Sequence, residues 1–120
     1  MRLKNTLTAA LLASLLCASS VFAHARLQSQ MPAADSTVSA PSELSLTFSE
    51  GVEADLCKVT ISHDGDDILV KSLITQGPDK RTLIVTPAVP FTDGDYKIEW
   101  HVVSVDSHKS EGVYAFTVGQ

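Results

Sequence analysis

Asp106 and His108, one residue apart, and His24, which becomes a chain terminus if the leader before it is cut, could do chemistry together. A histidine at an N-terminus offers two nitrogen donors, the α-amine and ring Nδ1, and these can close a chelate ring on a metal. Typical pKa values of about 7.7–8.0 for the amine and about 6.5 for imidazole let a divalent ion displace both protons near neutral pH. In extended backbone, positions i and i+2 face the same side about 6.6 Å apart along the strand, so the Asp106 carboxylate and His108 ring could lean toward one ion. The three residues would make a set of three nitrogens and one oxygen. Tetragonal N,O coordination suits Cu(II) or Ni(II), and the Irving–Williams order favours Cu(II). A plane filled by protein ligands leaves little room for substrate, which points to carriage of the ion over catalysis. Spacing alone leaves open whether residues 24 and 108 meet. Asp-x-His on a loop is also a common solvated turn.

The terminal position of His24 depends on the start of the chain. Met-Arg-Leu-Lys precedes an apolar run from Leu7 to Leu16, followed by the small-x-small site Val21-Phe22-Ala23. This is the pattern of a secretory signal peptide over residues 1–23, cut after Ala23. Its apolar core is too short for a permanent membrane span, and Leu16 before Cys17 argues against a lipidated cysteine. The remaining domain, 24–120, keeps seven cationic against fourteen acidic side chains. That balance opposes a nucleic-acid partner. With Cys17 removed, Cys57 is the one cysteine left, so no internal disulfide forms. The fold must stand on its hydrophobic core.

Alternation and β-branched residues dominate residues 24–120. Leu44–Phe48, Lys58–Ser62, Ile68–Val70, Thr82–Thr86, Tyr96–Val103 and Val113–Val118 read as strands, with Pro, Gly and Asp-Gly punctuation between them. About seven short strands predict an all-β domain, a small sandwich or barrel of immunoglobulin-like size. Period 2 sends Tyr96, Ile98, Trp100 and Val102 inward and leaves Lys97, Glu99 and His101 outside. Leu44, Leu46 and Phe48 face inward by the same rule. His63, beside Asp64-Gly65-Asp66-Asp67, reads as a solvated turn residue, and Cys57 as a small core residue.

Three stretches carry a family resemblance: His24-Ala-Arg-Leu with Pro32-Ala-Ala, Ala40-Pro-Ser-Glu-Leu-Ser-Leu-Thr-Phe-Ser-Glu50, and Trp100-His-Val-Val-Ser-Val-Asp-Ser-His108 followed by Gly112–Val118. Together they resemble the CopC family of periplasmic copper-binding proteins over nearly the whole of residues 24–120. The resemblance implies a small Greek-key, cupredoxin-like β-sandwich or barrel. It also implies one Cu(II) per chain, held by His24 through amine and ring and by Asp106 and His108. It further implies a periplasmic monomer that is not an enzyme, acts in copper tolerance or homeostasis, and has an inner-membrane CopD-like transporter as partner. Ser107 stands where the family's Asp-Gly-His motif has glycine, which is expected to restrict the loop without removing a ligand. Met31 is the only methionine after residue 23, so the Met-rich Cu(I) site of some relatives is expected to be absent.

Three other readings compete. A blue-copper centre would need two His, a Cys and a weak axial ligand, and Cys57 and His63 lie on either side of one predicted strand with no Met following. A copper-brace oxidase shares the N-terminal His plus a second His, but such enzymes have larger domains with broad substrate faces. A metal-free immunoglobulin-like adhesion or chaperone module would make His24 and Asp106-x-His108 coincidental.

Overall fold

The computed structural model describes residues 25–119. The proposed leader 1–23 and His24 therefore lie outside the described residues. Nine strands run in chain order: β1 (Leu27–Met31), β2 (Thr37–Val38), β3 (Leu44–Phe48), β4 (Lys58–His63), β5 (Asp66–Ile68), β6 (Val70–Gln76), β7 (Thr82–Pro87), β8 (Gly94–Val103) and β9 (Lys109–Val118). Among the described residues the helical element is one 3-10 turn, Ala54–Leu56. The strands form two sheets, ordered β1-β3-β7-β6 and β2-β9-β8-β4-β5. Pairing is antiparallel except where short β2 lies parallel to the end of β9. The chain changes sheet after β1, β2, β3, β5 and β7, so strands distant in sequence, β3 with β7 and β4 with β8, become neighbours.

Strict alternation explains the layers. In β3, Leu44, Leu46 and Phe48 are buried, and in β8 so are Tyr96, Ile98, Trp100 and Val102, while Lys97, Glu99 and His101 face water. These two inward rows, joined by Val59, Ile61, Leu83, Val85, Phe116 and Val118, form one core between the sheets. Aromatic rings brace it: Phe48 meets Trp100 edge to face at 5.2 Å, and Tyr96 stacks on Phe116 at 5.3 Å.

The stretch Ile68–Val70, expected as one strand, is instead the junction between two. β5 ends at Ile68 in one sheet and β6 begins at Val70 in the other, with Leu69 between them 80% exposed. An apolar triplet fits a core strand in sequence, but here the chain turns over the edge of the sandwich. His63 also departs from expectation. It closes β4, its ring lies flat on Tyr96 at 4.4 Å, and Nε2 is 2.9 Å from the Asp93 carbonyl oxygen.

The longest ladder positions the site. β8 and β9 pair without interruption from Gly94 opposite Val118 to Val103 opposite Lys109. The five residues 104–108, which include Asp106 and His108, close this hairpin at one end of the sandwich.

Candidate metal centre

The 104–108 loop is built on Ser104. Its N–H donates to the His108 carbonyl at 2.8 Å, and its own carbonyl accepts from Ser107 N–H at 2.9 Å. The loop is tied to the segment after β3 by Val105 N–H donating to the Gly51 carbonyl at 2.9 Å and by a bridge between Val52 and Ser104. Asp106 and His108 are therefore not on extended backbone, as their i, i+2 spacing had suggested. A tight turn, with Ser107 at φ +76°, brings them together. His108 Nδ1 and Asp106 Oδ1 are 3.3 Å apart, with both side chains about half exposed. Hydrogen bonds, first from the Ser104 hydroxyl and then from His108, hold the Asp106 carboxyl below the usual carboxylate range, so it is an anion at neutral pH.

Ser107 occupies the left-handed region that glycine enters freely and a residue with a Cβ does not. Ser107→Gly should relieve that strain, less the extra freedom glycine gives the unfolded chain. The expected net gain is up to about 1 kcal/mol, a rise of a few degrees in Tm. Thermal unfolding of the two proteins measures it, and a loss of stability would show that the serine fits this turn without strain.

The other sandwich elements at this end are the start of β9 and the first described residues. Ala25 is buried, and its carbonyl accepts from the Ser110 hydroxyl at 2.8 Å, two residues beyond His108. Arg26 N–H donates to Ser49 Oγ at 2.9 Å, and Ser49 N–H donates to the Arg26 carbonyl at 2.8 Å. The chain at Ala25 is thus clamped between β9 and the end of β3, at the end of the sandwich that carries the loop.

Two ligands adjacent in a square plane, with bonds of about 2.0–2.1 Å, stand roughly 2.9 Å apart. The Asp106–His108 separation is within a few tenths of an ångström of that edge, so the pair fits one side of a tetragonal site. A pair is not a complete site. Among the described residues, no three His, Cys, Asp or Glu side chains gather closely enough to hold an ion.

The remaining candidates lie apart from this pair. His101 faces water on β8 and reaches Glu111 on β9, Nδ1 to Oε1 at 3.1 Å. Cys57 immediately precedes β4 and His63 ends it, about 20 Å apart at roughly 3.3 Å per strand residue. They cannot share a blue-copper ion. Cys57 is half-buried against the core, its Sγ donates to the Glu53 carbonyl at 3.2 Å, and burial pushes its thiol pKa up. The thiolate, which is the metal-binding form, is correspondingly disfavoured. Met31 ends β1 exposed. Nothing in the types of Ser104 and Ser110 marks them as functional, because a serine shows its role only once burial and partners are visible. Ser104, two before Asp106 and four before His108, had the spacing of a side chain bonding its own loop.

Fold and loop together define a small two-sheet β-sandwich that presents an Asp-x-His pair beside its entering chain. The family profile described as the CopC domain matches residues 27–119, and this chain belongs to the CopC family. Protein YobA of Escherichia coli K12 is 40% identical over 111 residues, which is 91% of this chain and 90% of that one. Copper resistance protein C of Pseudomonas syringae pv. tomato is 33% identical over 102 residues, 80% of this chain and 81% of that one. Among solved structures, PcoC, a methionine-rich copper resistance protein from Escherichia coli, superposes with a TM-score of 0.71 at 32% identity. It covers 81% of this chain and 100% of its own. CopC from Methylosinus trichosporium OB3b gives 0.73 at 30% identity, covering 79% and 93%.

Proposed function

We propose that this chain is a periplasmic Cu(II) carrier or buffer acting in copper tolerance or homeostasis. In this reading residues 1–23 are a leader removed after Ala23. The domain 24–120 then takes one Cu(II) through the amine and ring of His24 together with Asp106 and His108. The observation that carries the reading is the convergence of Asp106 and His108 at the end of the sandwich where Ala25 is clamped to Ser110. Its support from relatives is that several are named copper resistance proteins. The solved PcoC is described as methionine-rich. This chain has two methionines, one of them Met1, so the soft thioether cluster that Cu(I) prefers has no counterpart here. The ion is cargo: protein donors around the plane hold it, and the proposed onward recipient is an inner-membrane CopD-like transporter.

The test is a Cu(II) titration followed by electron paramagnetic resonance on two preparations, one beginning at His24 and one with a single residue left in front of it. The expected result is one-to-one binding with a tetragonal, nitrogen-rich signal in the first, and much weaker binding with fewer nitrogens in the second, because an amide nitrogen replaces the amine. Equal binding by both would remove His24 from the site. Binding by neither would return the chain to the metal-free sandwich.

A further inference from the structure

Ser104 is 1% exposed and is the one fully buried polar residue among the described residues. All three of its polar groups serve the loop. The hydroxyl donates to Asp106 Oδ1 and accepts from the His108 backbone N–H at 3.2 Å, while the N–H and carbonyl close the turn to His108 and Ser107. The Asp106 oxygen that receives the hydroxyl hydrogen is the one 3.3 Å from His108 Nδ1. A single buried side chain therefore touches both members of the pair.

We infer that Ser104 is the positioning residue of the copper site: its hydroxyl sets the Asp106 carboxylate and the His108 backbone in their ligating arrangement before the ion arrives. This rests on the reading of Asp106 and His108 as ligands. Two half-exposed side chains on a five-residue loop would otherwise sample several rotamers, and metal binding would have to order them at an entropic cost. Ser104 itself is anchored by the segment that follows β3, through its bridge to Val52 and the neighbouring bond from Val105 N–H to the Gly51 carbonyl. That gives the loop a rigid base. An ionised carboxylate has about four acceptor sites, so Asp106 can keep the hydroxyl hydrogen bond and still offer a lone pair to copper. Hydrogen bonds of this outer kind orient metal ligands, and their removal typically costs 10–100-fold in affinity.

The experiment uses the chain beginning at His24 and measures Cu(II) affinity by chelator competition together with the paramagnetic resonance spectrum. Ser104→Ala should bind about 10–100-fold more weakly, with altered copper hyperfine coupling and a cooperative thermal transition retained. Ser104→Thr keeps the hydroxyl and should hold the wild-type spectrum. In an Asp106→Ala background the Ser104→Ala loss should shrink to the part exerted through the His108 N–H, because the carboxylate partner is gone. Without copper, the His108 amide should exchange with solvent faster in Ser104→Ala. Wild-type affinity and spectrum in Ser104→Ala, or an undiminished loss in the Asp106→Ala background, would overturn the inference while leaving the ligand reading standing. If Asp106→Ala and His108→Ala themselves leave Cu(II) binding unchanged, the ligand reading fails and the inference falls with it.

Discussion

On the proposed site, His108→Ala is expected to weaken Cu(II) binding by more than about 100-fold, since disturbing an outer partner of a ligand already costs 10–100-fold and this change would remove a proposed ligand outright. The fold should survive, because His108 is half exposed on a loop and substitutions away from the core usually shift stability by no more than about 0.5 kcal/mol. His101→Ala is the matched control: the same residue type, exposed on the adjoining strand and paired with Glu111. It should leave copper binding unchanged. Acidification tests the same assignment. The folded-state Asp106 carboxyl is held below the usual range, so it remains ionised as pH falls from 7 toward 5. The nitrogen donors must shed protons to bind, so affinity should fall across that interval with proton release on binding. Chelator competition at two pH values measures both effects. Equal affinity for His108→Ala and wild type would remove the loop from the site.

Strands whose two faces differ sharply were legible in the sequence, and strands with mixed faces were not. β3 and the middle of β8 alternate between buried residues and more exposed ones, and their inward rows fall where period 2 places them. β1, reading Leu-Gln-Ser-Gln-Met, is an edge strand with little to bury, and two-residue β2 pairs beside β9 with only Val38 to pack against the core. β6 is also an edge strand, so Val70, Leu73 and Ile74 carry no clean period. At the site, the donor types of Asp106 and His108 were readable, but the geometry that joins them was not. The sequence suggested two side chains on one face of a strand. The loop uses a positive-φ turn at Ser107 and a buried serine hydroxyl instead, and the serine is held in place by packing on Val52 and Gly51, some fifty residues away in sequence.

That dependence on packing underlies the largest expected effect on stability, which comes from adding one methyl group. Gly112 lies opposite Trp100 in the β8–β9 ladder, and a Cβ there would sit 2.4 Å from Trp100 Cζ2 and 2.7 Å from Cε2. The indole cannot simply retreat: its ring is 5.2 Å from Phe48, which is fully buried in the facing sheet. An alanine in a strand would otherwise gain about 0.5–1 kcal/mol over glycine from chain entropy, so the sign of the change decides whether contact or backbone freedom governs this position. Overpacking a filled core costs about 1–3 kcal/mol, and the rigid, doubly held indole places Gly112→Ala toward the upper end. In a domain of this size that lowers Tm by roughly 8–20 °C. Gly119→Ala, whose Cβ would meet nothing nearer than Thr37 Cγ2 at 3.9 Å, should change it little. The chain has a single tryptophan, so its fluorescence reports directly on the displaced ring: a red-shifted emission in Gly112→Ala marks an indole pushed toward water. Stability equal to that of Gly119→Ala, with unshifted emission, would mean that β9 yields at Gly112. The hairpin carrying Asp106 and His108 would then be softer than its unbroken ladder implies.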